Sequence, residues 1–399
     1  MIIDAQLLGR RTRPARRVRS STFGVLVVLV AFGLCVVTLA CAGSGSRPTR
    51  ALSTLPVTSA VSVAPTVVGA HGRVGVVLAD GVDDTSPAMA LPASTTRPVV
   101  QAVLAKAGFE TSVEIAVDAN AFVAAATKMI AVPVDVLVLS TSAPDAATKV
   151  RALAAAAHIV TIDFERLAPG SGATMFVGID ERALGDAIAR GLLACISDKK
   201  VAHAHIVELR RGALDPPSLT RQGYVAIMQP RYDAGDNVKA AERTVQPADS
   251  ATASAIVGEV LTAASGRVDA VMAESDLLAV GAIETMKRNG LQLSVVGAGI
   301  TVAALRSVLR GDQCAAVGTT PTADAQALAR LVAAVLGGNR SVASSVVRDA
   351  SASTDIAAVL VSPVTVGRAD VKAAVIAGAA TVAELCADLA SRCAAAHIT

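Results

Sequence analysis

The chain has 399 residues, a formal net charge of +3 and a hydrophobic fraction of 53%. That length exceeds one compact core and fits two lobes. The positive charge is an N-terminal matter: without residues 1–40 the chain holds 30 Lys+Arg against 32 Asp+Glu, a balance of about −2 that offers no basic face to nucleic acid.

Six arginines between Arg10 and Arg19 precede an uncharged apolar run, Phe23 to Ala40, which ends at Cys41. A basic region, an apolar core and a small residue before a cut are the parts of an export signal. Ala40-Cys41, followed by Ala42 and Gly43, resembles the lipobox of bacterial lipoproteins, although Thr38 and Leu39 invert the usual order. The resemblance implies diacylation of Cys41 and removal of residues 1–40. The other reading is an uncleaved membrane anchor, since 18 apolar residues nearly span a bilayer. Either way the rest of the chain is expected outside the cytoplasm, tethered to the membrane. Residues 41–72, rich in Ser, Thr, Pro and Val, read as a flexible stalk.

From Arg73 onward, short β-branched runs alternate with Ala-rich stretches of helical period. Strands are expected at 74–79, 111–116, 134–139 and 158–162, with helices at 97–107, 119–130 and 145–156. Asp118 stands as the N-cap of the second helix. Runs that are apolar on both faces, separated by helices, indicate parallel strands covered on each side. This is an open doubly wound α/β lobe. The pattern then restarts. Strands are expected at 174–177, 201–209, 238–245, 268–273 and 293–297, and helices at 181–195, 219–228, 250–264 and 276–289. Ligands in such sheets lie beyond the C-terminal strand ends, so two facing lobes define one cleft.

Beyond Cys41, four cysteines remain, and an exported space permits disulfides in any of three pairings. Cys386 and Cys393 would stand about 10 Å apart on a continuous helix, too far to bridge, so they pair only if the helix breaks between them.

The ordered segments RVGVVLADGVDD (73–84), MFVGIDERALGDAIARGL (175–192), LTRQGY (219–224), VDAVMAESDLLAVGAIETMKRNGL (268–291) and VLVSPVTVGRADVKAAVIAGAA (359–380) resemble the type I periplasmic sugar-binding proteins, closest to the xylose-binding branch. The resemblance implies two doubly wound parallel-sheet lobes joined by a three-segment hinge, with crossings near 164, 320 and 350. It places the N-lobe at 73–163 plus 322–345, the C-lobe at 164–321 plus 346–366, and a C-terminal tail at 367–399. It further implies a monomer that feeds a small solute, by default a monosaccharide, to the permease of an ABC importer. The alternative is a ligand-sensing or degenerate-pocket scaffold lipoprotein that reports to a partner.

Sugar recognition needs carboxylates, amides and arginine, because each buried hydroxyl must both donate and accept. Asp80 ends the first strand and Asp163 the fourth, and both are expected at the ligand. Arg166 follows three residues later. Arg221 starts a helix, where a cation is poorly placed for the dipole, so a cleft role is expected. Asp276 is read as a helix N-cap or a ligand residue, and Ser275 replaces the family's usual asparagine. Two acids and two arginines suit a neutral polar solute. Several departures weaken an ordinary xylose site. Gly299 stands for a cleft aspartate, Thr319 or Thr320 for a lysine, and the chain has no tryptophan. His203 and His205 are expected to share a strand face, but no partner pattern for a metal accompanies them. No nucleophile elbow, Walker loop or cofactor motif occurs, so neither catalysis nor a cofactor is expected.

Overall fold

The computed structural model describes residues 71–80, 91–132, 134–212, 218–265, 267–339, 341–349 and 351–399. Cys41, the apolar run before it and the stalk to residue 70 lie outside the described residues. Among the described residues, no helix is long and apolar enough to cross a membrane.

The first lobe begins β1 (Arg73–Ala79), α1 (Ala93–Lys106), β2 (Glu110–Ala116), α2 (Ala119–Ala131), β3 (Val136–Ser140), α3 (Pro144–Ala156), β4 (Val160–Phe164) and β5 (Met175–Ile179). The strands alternate their apolar side chains between two helical layers. Val74, Val76 and Leu78 of β1 pack with Val100 and Leu104 of α1, whereas Val77 packs with Phe122 and Ala126 of α2. Asp118 caps α2 by accepting a hydrogen bond from Ala121 N at 2.7 Å.

The chain then enters the second lobe with α4 (Glu181–Asp198), β6 (His205–Arg211), α5 (Leu219–Asp233), β7 (Val238–Val245), α6 (Ser250–Ala263), β8 (Ala270–Ala273), α7 (Asp276–Arg288), β9 (Ser294–Ala298), α8 (Val302–Arg310) and β10 (Ala315–Gly318). It returns to the first lobe through α9 (Pro321–Leu336), β11 (Ser345–Asp349) and β12 (Thr354–Val361), and goes back once more in β13 (Val364–Val366). Helices α4 and α5 cross with their backbones touching. A Cβ on Gly223 would stand 2.0 Å from the Arg182 carbonyl oxygen, and one on Gly185 would stand 1.9 Å from that of Thr220.

The first sheet has seven strands in the order β11-β12-β5-β4-β3-β1-β2, and the second has six in the order β13-β10-β9-β8-β6-β7. Only the edge pairs β11–β12 and β10–β13 are antiparallel. This order corrects the expected lobe boundaries. Residues 164–179 and 346–361 belong to the first lobe, because Phe164 pairs with Val177 and Met175 with Ala357. The first crossing therefore follows Ile179 rather than Asp163, and the third lies at Ser362–Pro363 rather than near 350. The middle crossing lies at Thr319–Thr320.

Two disulfides settle the open pairings: Cys195–Cys314 and Cys386–Cys393. The second forms because the tail is broken into α10 (Val371–Ile376), α11 (Val382–Cys386) and α12 (Ala390–Ala395), which brings the two Cα atoms to 6.0 Å. Leu385, Leu389 and Cys393 of this tail pack on Leu305 and Leu309 of α8. Thr322 Oγ1 at the start of α9 donates to the Ala377 carbonyl at 2.9 Å, so the tail touches both lobes.

Candidate functional site

The C-terminal strand ends of the two sheets meet across a narrow space of about 30 Å³. The first lobe contributes Leu91, Glu165 just past β4, Ile179 at the end of β5, and Asp324 in the first turn of α9. The second contributes Leu184 of α4, the turn Gly299–Ile300 after β9, and Val317 to Thr319 at the end of β10. One water needs roughly 10–15 Å³, and ordinary ligand pockets hold roughly 300–1,000 Å³. The lobes must part before anything of sugar size can enter.

Two acids face this space. Glu165 is half-buried, and its backbone sits at φ 59°, a region most residues avoid. A hydrogen bond from Glu165 N to the Val177 carbonyl at 2.7 Å holds it there. Such local strain is a pointer to function. Burial pushes its carboxyl up to about 8, the charge of Asp324 adds to the rise, and Arg166 opposes it. Asp324 is 4% exposed, and one of its carboxylate oxygens, Oδ1, has no hydrogen-bond partner. Burial lifts Asp324 to about 7, against a hydrogen bond from the Thr319 side chain.

A third acid lies behind the second lobe's wall. Asp276 is 4% exposed, and its Oδ2 accepts a long hydrogen bond from Thr301 N at 3.3 Å. Its Oδ1 has no partner, and burial raises it to about 7 against the hydrogen bonds from Thr301. A Cβ on Gly299 would stand 2.6 Å from this carboxylate, and Gly299 has φ 112°. The Asp276 carboxylate thus fills the space that a side chain at 299 would need. Ser275, not Asp276, is the N-cap of α7, accepting from Leu278 N at 3.3 Å.

The six residues expected at the ligand are not brought together, and none lines this space among the described residues. Asp80 is exposed at the end of β1, where the buried Arg166 donates from Nη1 to the neighbouring Ala79 carbonyl at 3.1 Å. Asp163 is taken up by α3. Its two oxygens accept from Arg151 Nη2 of α3 at 2.7 and 2.6 Å, and that guanidinium also reaches Ser171 Oγ and Thr161 Oγ1. Burial raises Asp163 to about 6, with Arg151 opposing the rise. Arg221 has a partner that sequence spacing hides: its Nε donates to Glu242 Oε1 of β7 at 2.7 Å. Burial works against Glu242, but Arg221, Arg210 and Lys239 hold it down to about 2. Arg210 itself is fully buried between Glu208 and Glu274 at 2.5 and 2.8 Å, under the ring of Tyr224. The balance of two acids and two arginines therefore does not form, and the described cleft wall is acidic.

Glu165 and Asp324 carry no signal of a cleft role in the sequence. Asp324 reads as an ordinary first-turn helix acid, and Glu165 is one of three charged residues in the run from Asp163 to Arg166. His203 and His205 do not share a strand face. His203 precedes β6 with φ 51° and its Nδ1 is 2.7 Å from the Gly235 carbonyl. Among the described residues, no group of three metal-ligating side chains occurs.

Two parallel-sheet α/β lobes, three crossings and a cleft at the strand ends define a two-lobed binding protein. The family model of the periplasmic binding protein domain matches residues 93–340, and the chain belongs to that family. The family is one of solute-binding proteins, not enzymes. Solved structures agree on the fold. A Clostridium phytofermentans ABC transporter solute-binding protein with bound β-D-glucose is 19% identical, with TM-score 0.60, covering 78% of this chain and 99% of its own. A Chloroflexus aurantiacus carbohydrate transporter solute-binding protein in complex with D-glucose is 18% identical, with TM-score 0.60, covering 79% and 98%. A Mycobacterium smegmatis ABC transporter solute-binding protein with bound glycerol is 20% identical, with TM-score 0.54, covering 76% and 96%. No curated protein matched the sequence.

Proposed function

We propose that this chain is an extracytoplasmic solute-binding lipoprotein. It takes a small polar solute between its lobes and delivers it to an ABC-type permease, tethered to the membrane through Cys41. The observation that carries the reading is the cleft lined from both lobes at the C-terminal strand ends, with the strained Glu165 and the half-satisfied Asp324 facing it. Groups contributed by two separate bodies let a ligand favour the closed arrangement and shift its population. The glucose and glycerol of the related structures make polyhydroxyl solutes the first to test. A ligand-sensing lipoprotein would use the same closure without a permease.

The test is a thermal-shift screen of the full chain, purified in detergent, against sugars, polyols and small metabolites. A solute at a hundredfold its Kd stabilises the folded state by about 2.7 kcal/mol, which raises the melting temperature by several degrees. A stabilising solute supports binding, and loss of uptake of that solute on deletion of the gene for this chain would separate transport from sensing. No shift from any solute at millimolar concentration would count against both.

A further inference from the structure

The cleft walls carry chemistry that a sugar site does not. Among the described residues lining it, the only charged ones are Glu165 and Asp324, and the only hydroxyl is that of Thr319. Neither arginine, lysine, a side-chain amide nor an aromatic ring is among them. A sugar hydroxyl both donates and accepts, so it needs donors from the wall as well as acceptors. An ionised carboxylate only accepts, and a protonated one donates a single O–H. Two acids with one hydroxyl are an acceptor-rich site, and Asp324 Oδ1 is a buried acceptor without a partner.

We propose that the cleft binds its solute through an ammonium group seated between the Glu165 and Asp324 carboxylates. This names the solute class of the binding reading above and rests on it. An ammonium has three donors and no acceptor, which complements the two carboxylates. Its charge also fits. Arg166 beside Glu165 offsets one of the two negative charges, and Asp276 adds another behind Gly299 on the opposite wall. A divalent metal suits the site less well, because calcium takes about six to eight oxygens, and no group of three ligating side chains occurs among the described residues.

The groups around the site give the proposal a proton signature. Glu165 faces Asp324 and Arg166, Asp324 faces Thr319, and Asp276 lies across the cleft. With the lobes closed, burial and mutual repulsion raise the proton affinity of both acids, because two bare charges are disfavoured there. An arriving ammonium takes the place of that protonation, so binding releases protons to solvent.

The experiment is isothermal titration of the full chain in detergent near neutral pH. The probes are ethanolamine and putrescine, set against ethylene glycol, D-ribose and D-glucose. Each titration is run in two buffers of different ionisation enthalpy, which reads protons released. The expected result is binding of an amine, absence of binding by ethylene glycol, and net proton release. Asp324→Asn and Glu165→Gln should each weaken the amine by about tenfold or more. Circular dichroism checks that each variant is folded, and the half-buried Glu165 serves if Asp324→Asn does not fold. Binding of a sugar but of no amine would overturn this inference and leave the solute-binding reading standing. Amine binding that both folded variants retain at full strength would also overturn it. Silence from every probe would overturn this inference and leave the solute-binding reading to the wider thermal-shift screen.

Discussion

Replacing Asp324 by asparagine removes one proton-binding site from a place where the fold raises proton affinity. Burial lifts the folded carboxyl from 3.8 to about 7, which at roughly 1.4 kcal/mol per tenfold change in proton affinity is on the order of 4 kcal/mol. The sign follows from proton binding. Between the two values the folded state holds the proton and the unfolded state does not, so stability falls as pH rises. The contribution is full below the unfolded value near 3.8 and is lost by about 7. Parting of the lobes would hydrate the acid and relieve part of the penalty, so about 4 kcal/mol is a ceiling. Asparagine does not titrate, and it also takes away the charge that helps raise Glu165. Urea unfolding followed by circular dichroism at intervals from about pH 4 to pH 8 measures this. The wild type should lose stability relative to Asp324→Asn as pH rises, with the variant ahead by up to a few kcal/mol at the alkaline end. A constant difference across that range would refute the placement of Asp324 in a desolvated acidic cleft.

Other expectations follow from the same packing. Arg151→Met leaves the Asp163 carboxylate buried without its partner, and should cost about 3–5 kcal/mol in urea unfolding while leaving the cleft walls in place. Cys195→Ser opens a link between residues 119 apart and should cost about 4–5 kcal/mol, against about 2–3 kcal/mol for Cys386→Ser with a separation of 7. The order of the two losses in chemical denaturation is the check, and equal losses would contradict the loop-closure argument.

Periodicity and caps made most elements legible. The helices starting at Ala119, Glu181, Leu219 and Ser250 begin where the sequence placed them, because apolar spacing and capping acids are local signals. Sheet membership was not local. The run at Met175 reads as a strand, but only its pairing with Ala357 assigns it to the first lobe. The site was less legible for the same reason. Ile162 and Phe164 point into the core beside α1 and α9, so alternation turns Asp163 the other way, toward Arg151. Glu165 reaches the cleft only because its backbone turns left-handed after the strand ends. Arg221 looks unpartnered in the sequence because Glu242 lies 21 residues away, on β7. At Ser275 and Asp276 the cap shifts by one residue, and that shift frees the aspartate to lie against Gly299.

The central claim is that one solute touches both lobes at once in the cleft. Hydrogen–deuterium exchange of the full chain, with and without the tightest-binding solute from the amine and sugar panels, tests it most directly. Binding across the cleft should slow exchange together in segments 163–167 and 321–326 of the first lobe and 298–301 of the second, which surround Glu165, Asp324 and Gly299. Protection confined to a single lobe, or located away from these segments, would contradict it.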